Sequence, residues 1–80
     1  MGLERNQLML QMECTLFFES NPYAYQTIEG LSVRLGRSAD QLDQVLNRLV
    51  EMSILSRVGD GARAIYYFNI PYHVTEAEWS

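Results

Sequence analysis

The apolar positions of this chain recur at helical spacing as far as Met52 and at strand spacing beyond it. From Leu3 to about Ser20 they occupy two faces of one helix, Leu8, Met9, Met12 and Leu16 on one and Leu10, Cys14, Phe17 and Phe18 on the other. Asn21-Pro22 ends that helix, because proline disfavours the α region in the residue before it. Tyr23 to Gln26 reads as an extended connection, with one of its two tyrosines expected in the core. Thr27 can accept an orphan backbone N–H at the start of a second helix, which carries Ile28, Leu31 and Leu35 on one face. Gly36 closes it, being free to turn left-handed, and Ser38 with Gln41 forms a capping box for a third helix. There Ala39, Leu42, Val45, Leu46, Leu49 and Met52 share the core arc, opposite Asp40, Gln41, Gln44, Asn47, Arg48 and Glu51.

After the third helix, Ile54 to Val58 and Ala64 to Ile70 are rich in β-branched and aromatic residues and flank Gly59-Asp60-Gly61, and Pro71 stops the second run. That pattern predicts a hairpin with Tyr66, Phe68 and Ile70 facing inward and Ile65, Tyr67 and Asn69 outward. Three helices followed by a hairpin make an α+β domain. At 80 residues the chain has room for one core, spanning about residues 4–71, with 72–80 as a tail in which Thr75 could cap a short turn. A three-helix domain needs only one apolar stripe on its first helix, so the second requires another cover. Either the C-terminal segment supplies it, with Trp79 folded back, or a second copy does; Leu10, Cys14, Phe17, Phe18 and Trp79 are the expected homodimer interface.

Composition excludes several function classes. Cys14 is the single cysteine and His73 the single histidine, so neither an intramolecular disulfide nor a zinc site can form, and no cofactor is expected. Cys14 and His73 lie far apart in the chain and Gly59-Asp60-Gly61 precedes a strand, so neither a nucleophilic pair nor a phosphate-cradling loop is expected, and the chain does not read as an enzyme. Gln7, Gln11 and Glu13 interrupt the apolar residues after Arg5, no stretch is long enough to span a membrane, and a cytoplasmic location is expected. The net charge is −4, but five of the six basic residues, all arginines, lie between Leu31 and Ile65: Arg34, Arg37, Arg48, Arg57 and Arg63. Asp40, Asp43, Glu51 and Asp60 accompany them.

Two helices joined by a short glycine turn, then a hairpin, resemble the winged helix-turn-helix family, most closely the small bacterial transcription regulators of the arsenic-repressor and multiple-antibiotic-resistance-repressor types. The resemblance rests on Ser32, Gly36-Arg37-Ser38, Val45, Leu49, Ile54-Leu55, Gly59-Asp60-Gly61 and Ile65-Tyr66-Tyr67, and covers about residues 4–71. Ser53 stands where such proteins usually have a glycine in a positive-φ helix end, and the cysteine pair of some arsenic-repressor relatives has no counterpart.

The resemblance implies a cytoplasmic, homodimeric regulator that binds double-stranded DNA. Residues 38–52 would be the recognition helix and 56–64 the wing. Ser38, Gln41 and Gln44 would then face base edges, Arg34, Arg37 and Arg48 would hold phosphates, and Arg57 and Arg63 would reach the backbone or minor groove from the wing. The acidic residues of the third helix point to an alternative, a winged-helix module that recognises a partner protein.

Overall fold

The computed structural model describes residues 5–70, which form three helices and a two-stranded antiparallel sheet in the order α1 (Arg5–Ser20), α2 (Ile28–Leu35), α3 (Ala39–Glu51), β1 (Leu55–Val58) and β2 (Ile65–Phe68). These are the three helices and hairpin that the apolar pattern predicts, an α+β arrangement consistent with a winged-helix-like fold. The strands pair Leu55 with Phe68, Ser56 with Tyr67, Arg57 with Tyr66 and Val58 with Ile65. On the open edge of β2, Gln26 and Tyr66 exchange backbone bonds of 3.0 and 2.8 Å, tying the α1–α2 connection to the sheet. A single 3-10 turn, Gly61–Arg63, fills out the wing tip; the alternation of residues around it gave no sign of it.

Local chemistry places the helix ends. Thr27 Oγ1 accepts from the Gly30 N–H at 3.0 Å, and Ser38 Oγ accepts from the Gln41 N–H at 3.4 Å, the serine half of the expected capping box. Gly36, at φ 67°, ψ 37°, directs its N–H back to Ser32 O at 2.9 Å, while Ser32 Oγ donates to Arg37 O at 2.7 Å. The end of α3 is a Schellman motif: Ile54 N–H reaches Leu49 O at 2.9 Å and Ser53 N–H reaches Val50 O at 3.0 Å. The residue in the left-handed position is Ser53, at φ 65°. Asn69 secures that corner, since its Nδ2 donates to Ser53 O at 2.9 Å and its N–H to Ile54 O at 3.0 Å.

The core is assembled around Leu42, Val45, Leu46 and Leu49 of α3, with Leu31 from α2 and Leu55, Ala64 and Tyr66 from the wing. From α1 it takes Leu10, Cys14 and Phe18, at most 2% exposed, with Phe17 half-buried against them and edge-on to Phe18 at 5.2 Å. This burial overturns the assignment of Leu10, Cys14 and Phe18 to a dimer interface, and Phe17 packs against them with part of its ring still exposed. The stripe is interior within one chain because α1 lies across α3 and β2 with that face inward. The face left outside is the other one, Leu8, Met9, Met12 and Leu16, each 48–63% exposed. Trp79, which completed the expected interface, lies outside the described residues.

Three smaller expectations also change. Ala39 and Met52, at the two ends of the apolar arc, are exposed because α3 outruns the elements that pack on its middle. Ile70 lies beyond the last strand pair and is 40% exposed, its inward place in the alternation being taken by Ala64. Neither connecting tyrosine enters the core; Tyr25 stacks on Tyr67 at 5.1 Å and Tyr23 is exposed.

A non-glycine residue in the left-handed region carries a steric cost that glycine avoids. Ser53→Gly should therefore raise stability by about 0.5–1 kcal/mol, seen as a higher urea midpoint at unchanged slope. An unchanged or lower midpoint would mean that Ser53 sits there without strain.

Candidate docking face

The outer face of α3 and the inner side of the wing form the one surface on which helix, turn and hairpin converge. Between them, with α2 as the third wall, runs a groove of about 560 Å³. Ile28, Ala39 and Ala62 supply its apolar surface above buried Ala64 and Tyr66, and Glu29, Asp40, Asp43 and Asp60 line it with carboxylates. Glu29 comes from the first turn of α2, Asp40 and Asp43 from successive turns of α3, and Asp60 from the wing tip. Arg57 of β1 is the basic residue in the lining. It is already engaged: Nη1 donates to Asn47 Oδ1 at 2.7 Å, and Asn47 Nδ2 in turn lies 3.4 Å from Asp43 Oδ1.

The eight residues expected to contact DNA are scattered by comparison. Arg37 is turned back onto α1, with Nη2 3.0 Å and Nε 3.2 Å from Glu13 Oε1. Both side chains are well exposed, so this pair contributes little to stability, but it occupies the guanidinium. Arg34 also points to α1, its Cζ 5.6 Å from the Phe17 ring centroid, in a cation–π contact. Ser38 acts as the cap of α3, and the Gln44 side-chain oxygen accepts a bond from Gln7 Nε2 of α1. Gln41, Arg48 and Arg63 are exposed and enter no ion pair among the described residues. Only Arg57 of the eight lines the groove.

The carboxylates of the groove were each visible as charges, but their convergence was not. Asp40 and Asp43 lie three apart on one helix and announce a shared face. Glu29 and Asp60 join them only through the packing of α2 and the bend of the hairpin. Among the described residues no group of three His, Cys, Asp or Glu side chains is placed to hold a metal ion, and no helix is long and apolar enough to cross a membrane. Cys14, fully buried, has its thiol pushed up to about 11 from 9.0, chiefly by burial and secondarily by Glu13, with Arg37 opposing; at neutral pH it is a protonated core residue and no nucleophile.

No family model matches this chain, and neither a curated protein nor a solved structure matches it. The architecture therefore rests on the chain's own residues.

Proposed function

We propose that the chain is a winged-helix docking module whose α3–wing face recognises a partner protein. The observation that carries this reading is the groove, where Glu29, Asp40, Asp43 and Asp60 surround an apolar surface and Arg57 is held by Asn47. Duplex DNA presents one negative charge per ~1.7 Å of axis, and carboxylates aimed at it cost affinity. Two of the arginines that would offset them, Arg34 and Arg37, point toward α1 in this structure. A protein partner imposes no such penalty.

DNA binding is the second reading, favoured by the exposure of Gln41, Arg48 and Arg63 on α3 and the wing. In it, α3 enters the major groove as a recognition helix and the wing arginines reach phosphate. The two readings separate in a binding titration with mixed-sequence duplex at physiological salt, where the docking reading expects affinity no tighter than on the order of 10⁻⁴ M. It also expects Arg48→Ala/Arg63→Ala to change nothing. Affinity about a hundredfold tighter, lost in that double variant, would establish the DNA reading instead.

The proposal includes self-association, through a different face from the one expected of Phe17 and Phe18. Leu8, Met12 and Leu16 repeat every four residues on exposed α1, with Met9 beside them, a contiguous apolar strip of the kind that soluble chains cover. Sedimentation at high micromolar concentration should show a dimer for the native chain and a monomer of equal helicity for Met12→Glu/Leu16→Glu. A monomeric native chain would contradict it.

A further inference from the structure

Resting on the docking reading, we propose that the groove between α2, α3 and the wing seats an extended segment of a partner protein in which a basic side chain, arginine or lysine, neighbours an apolar one. The lining has the two parts such a segment needs. Half-buried Ile28 with exposed Ala39 and Ala62 offers a surface for an aliphatic side chain, over a floor in which Ala64 and Tyr66 are almost wholly buried. The four carboxylates come from three separate elements, so a cation entering the groove meets negative charge from several directions.

The counter-charge inside the groove is limited. Arg57 is held toward Asn47, and through Asn47 it is linked to Asp43 alone. Glu29, Asp40 and Asp60 have no ion-pair partner among the described residues. All four carboxylate residues are solvent-exposed, so each alone attracts a guanidinium only modestly, and it is their number around one groove that favours a cation. An arginine fork can bond two such oxygens at once, and its flat face can lie against Ile28. An acidic or phosphorylated segment would face like-charge repulsion at the same four positions. The groove opens to solvent and does not close over its contents, which suits a segment laid into it rather than a small enclosed molecule.

The test is a series of amide-shift titrations of the isotope-labelled full chain. The probes are a short capped peptide of leucine, arginine and alanine, its counterpart with glutamate for arginine, and mixed-sequence duplex DNA. The proposal expects the arginine peptide to shift amides of Ile28, Glu29, Asp40, Asp43 and Asp60, to lose about tenfold in affinity with Asp40→Asn/Asp43→Asn, and to weaken with salt. Both substitutions are isosteric and exposed, and the spectrum itself reports whether the fold is intact. It also expects the glutamate peptide to leave the groove unmoved. Equal shifts from both peptides would overturn the basic-segment proposal while leaving protein docking standing. Shifts of α3 and the wing from DNA alone would overturn both. Shifts confined to the Leu8–Leu16 face, or none from any probe, would overturn the groove as the seat.

Discussion

Burial of the α3 stripe, Leu42, Val45, Leu46 and Leu49, is the interaction on which the rest of this small domain depends. Those four side chains are at most 3% exposed, and α3 is the element that packs against α1, α2 and β1 together. Truncating one such leucine to alanine costs about 2–5 kcal/mol in a well-packed core, which is a large share of the stability of a domain this size. Leu31, Phe18 and Leu55 reach the core only because that stripe is there to receive them. The caps at Ser38 and Ser53 matter for the same reason: they set where α3 begins and ends, and so the arc that faces inward.

With one side of α3 committed to the core, its other side is free to vary without disturbing the fold. Here that side carries Asp40, Asp43 and Glu51 against Arg48. Shape and charge therefore point in different directions. The helix is presented as a recognition helix is presented, with a capped start and a wing beside it. Its charge, and the groove it forms with Glu29 and Asp60, suit a cationic protein segment better than a phosphate backbone.

Local signals made most of the fold legible in the residues alone. A hydroxyl cap, a left-handed glycine and a leucine stripe each act within a turn or two of helix, whereas Ser53 was recognisable as the positive-φ position only through the resemblance, standing where such proteins usually have glycine. What could not be read locally was the choice between equivalent surfaces. Both stripes of α1 are apolar, and only the packing of α3 and β2 decides that Leu10, Cys14 and Phe18 go in while Met9, Met12 and Leu16 stay out. The same holds for the arginines. Their positions in the chain gave a plausible basic face, but Glu13 and Phe17, far away in sequence, divert Arg37 and Arg34 from it. The acidic groove is the complementary case, four carboxylates that become one site only on folding.

On the docking reading, charge on the α3–wing face, and not its shape, decides what that face recognises. The most direct test is to reverse that charge, comparing duplex DNA binding of the native chain and of Asp40→Lys/Asp43→Lys/Asp60→Lys across a salt series. Weak binding by the native chain and clear binding by the variant are expected, with the slope of log affinity against log salt steeper by up to about 0.9 for each lysine that meets a phosphate. A folded variant that binds no better than the native chain would contradict that reading.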